Sequence, residues 1–196
     1  MNQTEQVLDE PLSRREQILA VALALFGSHG IERVTTRQIA RAVGISQPSL
    51  YAHFAGIEEI LVELCCRSFG LLYDRATAAI VGAQDDRQRL SAIGREYVRF
   101  GLEHSAEYRV AFMIESPNQS EEQKQRVMAA GQRAFGVLLD ACRTATGADD
   151  PQTHALAQSM WASVHGLVAL MLAREHFPWV EREALIEAHL ARVCRI

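Results

Sequence analysis

An all-α fold is predicted by three features of the chain. Apolar residues recur at three- and four-residue spacing through most of its length. Several of these periodic segments open on helix-start signals: Thr35 with Gln38, Ser120 with Gln123, and Asp150 followed by Pro151. No segment alternates apolar and polar residues as a half-buried strand does, and there is no internal repeat or low-complexity tract.

Taken in order, residues 1–12 are polar and acidic, with Pro11 near their end, and read as a loose arm. A helix should begin at Ser13, with Ile18, Leu19, Ala22, Leu23 and Phe26 on its apolar face and Gly30 as its stop. The segment Arg33–Phe54, RVTTRQIARAVGISQPSLYAHF, organises the rest. Thr35 and Gln38 have capping-box spacing. Ile39, Ala40 and Val43 form an inward face, and Gly44 can take the left-handed conformation that closes a helix. Ile45 can plug the corner. Ser46 caps a second short helix that carries Pro48 in its first turn. Helices this short cannot bury an apolar face alone, so the first helix must supply their floor.

Ala55-Gly56 is a break before a long helix that opens on Glu58 and Glu59 and runs towards Ile80. It is long enough to link two helical bundles. After a polar segment, Gly82–Asp86, a helix carries Leu90, Ile93, Tyr97 and Phe100. Ser105 is expected to cap a shorter helix that stops near Ser116-Pro117-Asn118. Ser120 starts a helix reaching about Arg143, with a loop over Thr144–Asp149. Asp150-Pro151 opens an apolar helix through Met160, Val164 and Leu172, stopped by His176-Phe177-Pro178 and expected to be buried on more than one side. A last helix covers Glu181 to about Cys194.

Helix, glycine-containing turn, helix is a geometry that lets a second helix enter the major groove with its first turn at the base edges. Here that turn offers Gln47, Pro48 and Ser49. Glutamine can pair with adenine, serine with several bases, and proline can touch a thymine methyl. Tyr51 and His53 have polar tips suited to phosphate, with the Tyr51 ring expected to be packed. Thr36 and Arg37 sit at a helix start, where backbone N–H groups and a cation favour phosphate. Formal net charge is -4 over 196 residues, and Lys124 is the single lysine, which excludes a general nucleic-acid coat. Between positions 11 and 57, however, five arginines face two glutamates, a local positive excess.

The 48% hydrophobic content allows a sizeable core. The four cysteines, Cys65, Cys66, Cys142 and Cys194, form no C-x-x-C pair and fit a reducing cytoplasm. No signal peptide is recognisable, and the apolar run Leu167–Ala173 is too short for a bilayer, so no membrane association is expected. The histidines are scattered without metal-ligand spacing, so neither a metal nor a cofactor is expected. Phe69, Tyr73, Tyr97, Phe100, Phe112, Met113, Met128 and Phe135 form an aromatic and apolar set. Each is either core or the lining of a pocket for an apolar or aromatic ligand. Trp161 and His165 share a helix face, as core, as pocket lining or, for His165, as a catalytic base. No catalytic partner for His165 stands at an informative spacing, so no catalytic residue is assigned.

On these residues the chain resembles a known family. Arg14–Leu61, and most sharply Thr35–Phe54, is similar to the DNA-binding domain of TetR-family transcriptional regulators. EHSAEYRVAFMIES (Glu103–Ser116) and WASVHGLVAL (Trp161–Leu170) resemble a regulatory domain named for its Trp-His-Gly pattern. The resemblance implies an all-helical homodimer built as follows: an arm at residues 1–12, a helix-turn-helix DNA-binding domain at 13–55, and a ligand-binding and dimerisation domain at 56–196. It implies a dimer interface through the last two helices and a small-molecule effector in the regulatory core. It carries DNA contact onto Thr36, Arg37, Gln47, Pro48, Ser49, Tyr51 and His53. One departure is Ile57, where the family often has a phosphate-contacting lysine; a smaller salt dependence is implied. The reading is a cytoplasmic repressor, not an enzyme, released by a small apolar or aromatic ligand from palindromic double-stranded DNA. Two alternatives stay open at this point: a helical small-molecule carrier that has lost DNA binding, and an all-α enzyme using His165.

Overall fold

The computed structural model describes residues 12–113 and 118–194. Among these residues the regular structure is helical: α1 (Arg14–His29), a 3-10 turn (Ile31–Arg33), α2 (Thr36–Val43), α3 (Gln47–Tyr51), α4 (Ile57–Ala79), α5 (Asp86–Glu103), α6 (Ser105–Phe112), α7 (Glu121–Thr146), α8 (Pro151–Ala173) and α9 (Arg182–Val193). The chain divides into two units, Met1–Ile60 and Leu61–Ile196. The expected arm lies outside the described residues except for Leu12.

In the first unit each helix end has a local cause. The Ser13 hydroxyl accepts the Glu16 N–H, and α1 closes on Gly30 at φ 76°. Thr35 and Gln38 form a full capping box at the start of α2: the Gln38 N–H bonds to Thr35 Oγ1 at 3.2 Å and the Thr35 N–H to Gln38 Oε1 at 2.8 Å. Gly44, at φ 78°, ends α2 in the left-handed conformation. Ser46 then caps α3 by accepting the Ser49 N–H. The core is Ile18, Leu19, Ala22 and Phe26 of α1 with Val34, Ile39, Ala40, Leu50 and Phe54. Arg15 reaches this core from α1. Its guanidinium lies 4.1 Å from the Phe54 ring centre, and Nη1 donates to the His53 carbonyl at 3.0 Å.

In the second unit α5 packs against α6, α7, α8 and α9. Two glycines let it approach closely. A Cβ on Gly101 would collide with Val168 of α8, and one on Gly94 would stand 2.6 Å from Leu190 of α9. Val168 is β-branched and fully buried, so it has little room to yield. Gly101→Val is therefore expected to destabilise this unit by about 1–3 kcal/mol, read as a lower urea midpoint in circular dichroism.

The structure corrects several expected boundaries. Ser105 does not cap α6: it is the first helical residue, and His104 holds the cap position without a side-chain bond. α6 ends at Phe112, with Met113 as its cap residue; most of the expected stop, Ser116-Pro117-Asn118, lies outside the described residues. α7 continues beyond Arg143 to Thr146 and closes on Gly147 at φ 68°. The Thr144 and Thr146 hydroxyls bond back to the carbonyls of Asp140 and Cys142, at 2.9 and 3.0 Å, which lets these polar residues stay helical. α8 stops at Ala173, ahead of His176-Phe177-Pro178. Arg174 leaves the helical conformation there, and its carbonyl accepts the indole N–H of Trp179 at 3.0 Å.

α8 also departs from its expected burial. Its buried stripe is Thr153, Ala157, Met160, Val164, Leu167 and Val168, while Ala155, Ala162 and Leu170 are exposed. Small residues break up its apolar run in the sequence, yet its 23 residues have the length and composition to cross a bilayer. In this fold that stripe packs on α5 and α7.

Candidate DNA-reading face and candidate ligand cavity

α3 has five residues and buries one of them, Leu50. Such a helix takes its position from what holds it: Leu50 in the core, the Ser46 cap, and the tight turn in which the Ile45 N–H bonds to the Ala40 carbonyl at 2.9 Å. With Leu50 inward, the remaining side chains of the helix face outward or along the surface. Pro48 is exposed and Gln47 and Ser49 are half-buried.

Three of the expected residues meet on that surface. The Gln47 amide Nε2 donates to Thr36 Oγ1 at 3.2 Å, and the Thr36 and Tyr51 hydroxyls lie 3.3 Å apart. Gln47 and Tyr51 are four residues apart, so one helix face presents both. The Gln47 amide keeps its Oε1 for another partner. Hydrogen bonding to Thr36, then to Gln47, lowers the Tyr51 pKa below the ordinary phenol value. The Tyr51 ring is not packed as expected. It is 49% exposed, because its hydroxyl is drawn to Thr36 across the surface and not into the core. Arg37 is exposed beside Thr36, and His53 is half-buried with its backbone fixed by Arg15. The helix spacing could have revealed the Gln47–Tyr51 pairing. Nothing local in sequence marks the Arg15 contact, which spans 38 positions.

The second unit holds a partly open cavity of about 1200 Å³ lined from α4 to α9. Of the aromatic and apolar set, Phe69, Tyr97, Phe112, Met128 and Phe135 line it, together with Trp161 and His165. Three others are elsewhere. Tyr73 lies under the Arg133 guanidinium at 4.0 Å, Phe100 is fully buried and stacks on His104, and Met113 is 48% exposed at the end of α6. These three are packing or surface residues because their helical phase turns them from the cavity. The sequence reading missed Leu90, Ile93, Met160, Val164 and Leu190, which are cavity wall and helix core at once. It also missed Gln119, Lys124, Gln132 and Gln158.

One wall is polar. Tyr97 Oη and Tyr108 Oη lie 2.9 and 2.8 Å from His165 Nδ1, and the Trp161 indole donates to Tyr97 Oη at 3.2 Å. Burial lowers the His165 pKa and pushes the Tyr108 hydroxyl up to about 12, so these groups are uncharged near neutral pH. Tyr108 was not singled out from sequence, although it lies in the quoted EYRVAF stretch. Cys65, Cys142 and Cys194 are ordinary buried thiols, and Cys66 is half-buried. Burial raises Cys65 to about 12 and Cys142 and Cys194 to about 11, which disfavours the reactive thiolate. Among the described residues no group of three His, Cys, Asp or Glu could hold a metal ion.

Comparison with known proteins follows the same division. Residues 18–64 match the family model "Bacterial regulatory proteins, tetR family", and residues 90–193 match "Tetracyclin repressor-like, C-terminal domain". The HTH-type transcriptional regulator BetI of Rhizobium meliloti is 35% identical over 81% of this chain and 77% of its own. The HTH-type transcriptional repressor KstR2 of Mycobacterium tuberculosis is 33% identical over 45% of this chain and 44% of its own. Among solved structures, a Rhodococcus protein of unknown function superimposes with a TM-score of 0.79 at 22% identity, covering 97% of each chain. The fatty acid degradation regulator FadR from Bacillus halodurans gives 0.75 at 15% identity, covering 94% of this chain and 96% of its own. BetI and KstR2 are transcriptional regulators, not enzymes, and regulators of this family bind DNA and small-molecule effectors and act as dimers. With a family model over more than half its length and a relative matched along most of it, the chain belongs to the TetR family and is a DNA-binding transcriptional regulator.

Proposed function

We propose that the protein is a homodimeric repressor that reads a palindromic operator with two copies of α3 and is released by a small apolar or aromatic ligand. In this reading residues 13–55 form the DNA-binding domain and 56–196 the ligand-binding and dimerisation domain. Its place of action is the cytoplasm, where a bacterial chromosome lies. The observation that carries it is the tied surface group Thr36, Gln47 and Tyr51 around a helix whose single buried residue is Leu50. Gln47, Pro48 and Ser49 then meet base edges, and Thr36, Arg37, Tyr51 and His53 meet the backbone. The repressor sense is supported by the resemblance to KstR2. The ligand class is supported by the largely apolar cavity lining, Phe69, Phe112, Phe135 and Trp161 among it.

Dimerisation through α8 and α9 is supported by the small apolar residues these helices leave exposed: Ala155 and Ala162 on one, Ala184, Ala188 and Ala191 on the other. A two-fold dimer presents two equivalent reading helices, hence two half-sites. For the ligand to shift the DNA-competent population from 99:1 to 1:99, it must favour the released arrangement by roughly 5.5 kcal/mol.

Fluorescence anisotropy on paired duplexes tests this. Scrambling one half of the operator should weaken binding by at least about tenfold, since one reading helix loses its base contacts. Equal affinity for the intact and half-scrambled duplexes contradicts the dimeric reading.

A further inference from the structure

The cavity is long, and its two ends differ. Its wall on α7 runs from Lys124 to Leu138, an advance of about 21 Å along the helix axis. Burial rises along that wall: Lys124 and Met128 are exposed, Val127 and Gly131 half-buried, Ala134 and Leu138 buried. The other helices close in at the Leu138 end. Met160 of α8 lies 3.9 Å, sulfur to sulfur, from Cys142, one turn beyond Leu138. One turn along α8, Val164 faces Gly94 of α5, which also lies against Leu190 of α9. Leu90, Ile93, Leu138, Val164 and Leu190 are buried and carry no side-chain nitrogen or oxygen.

Polar lining is confined to the outside. Lys124, Gln132 and Gln158 are exposed and Gln119 is half-buried. Further in, Tyr97 is bonded to His165 and to the Trp161 indole. At the open end Lys124 is paired with Glu121 at 2.7 Å, an exposed contact that contributes little and that a ligand oxygen can replace. Halfway along the α7 wall the cavity narrows. A Cβ on Gly131 would stand 3.4 Å from the tip of the Phe69 ring, so α4 presses an aromatic side chain close to the α7 backbone there. Phe112 backs that ring edge-to-face at 5.2 Å. A thin chain passes such a waist more readily than a rigid cage or fused rings.

Resting on the reading of this cavity as the effector site, we infer that the effector is a linear amphiphile: an unbranched alkyl chain that lies along α7, with its tail at Leu138 and its polar group at the open end beside Lys124. The buried end offers the tail apolar contact alone, and each methylene that enters it leaves water. Gly131 and Phe69 are specificity-determining residues, because together they set the width of the passage.

Three carboxylates test this: octanoate, dodecanoate and adamantaneacetate, the last with the same number of carbon atoms as dodecanoate in a compact cage. Calorimetric titration of the full chain should show dodecanoate binding at least about tenfold more tightly than either of the others. Gly131→Leu puts a side chain into the waist and should weaken dodecanoate by at least about tenfold. Leucine is the better helix former, so the circular dichroism and urea midpoint of the variant should not fall. Octanoate or adamantaneacetate binding as tightly as dodecanoate, in the unmodified chain, overturns the inference, and so does dodecanoate binding that Gly131→Leu leaves unchanged. If adamantaneacetate matches dodecanoate and Gly131→Leu weakens both, the cavity reading stands without the linear ligand. Binding of none of the three overturns both.

Discussion

Leu50→Ala is expected to strip hydrogen-exchange protection from α2 and α3 and to abolish operator binding, although Leu50 touches no DNA in the proposed arrangement. The side chain is fully buried and is the one residue that ties α3 to the core. Truncating a buried leucine costs about 2–5 kcal/mol, a large part of what a small helical unit has. Leu50→Met, which keeps most of the volume, should cost less than about 1.5 kcal/mol and retain binding. Exchange measured by mass spectrometry separates local from global loss: the Thr35–Phe54 segment should lose protection while α5 keeps it. Unchanged protection in α3 would mean that the helix is held by something other than its single core anchor.

Gln47→Ala is expected to act on selectivity and leave folding intact. It removes a half-buried amide bonded to Thr36 at 3.2 Å, and the unit's core is untouched. In a panel of duplexes differing at single base pairs, one position in each half-site should lose about 1–3 kcal/mol of discrimination. Tyr51→Phe and His53→Ala should behave differently, weakening all duplexes by a similar factor and lowering the salt slope by roughly one for each lost phosphate contact. If Gln47→Ala leaves every base preference in place, Gln47 serves only to hold Thr36 and Tyr51.

The helix-turn-helix was legible because its determinants are local. Thr35 with Gln38, Gly44, and Ser46 with Pro48 act within four residues of themselves, and each does in the structure what its chemistry dictates. The same holds for Ser120 with Gln123 and for Asp150-Pro151. Helix ends without such a signal were less legible. α7 runs on to Thr146 because threonine hydroxyls can be satisfied inside a helix, and α8 stops at Ala173 because Trp179 reaches back to the Arg174 carbonyl. The cavity was legible only in part. An aromatic residue at helical spacing faces either a neighbour or an empty space, and only the packing of six helices distinguishes Phe112 from Phe100. Least legible was the His165 cluster, where Tyr97 and Tyr108 come from positions 68 and 57 residues away.

The most direct test of the proposed DNA-reading role is selection of bound duplexes from a random library by the purified, ligand-free full chain at physiological salt. Enrichment of a two-fold symmetric sequence, with half-sites about one helical turn apart or somewhat more, is the predicted result. Folded, dimeric protein that enriches no sequence would contradict the proposed reading face.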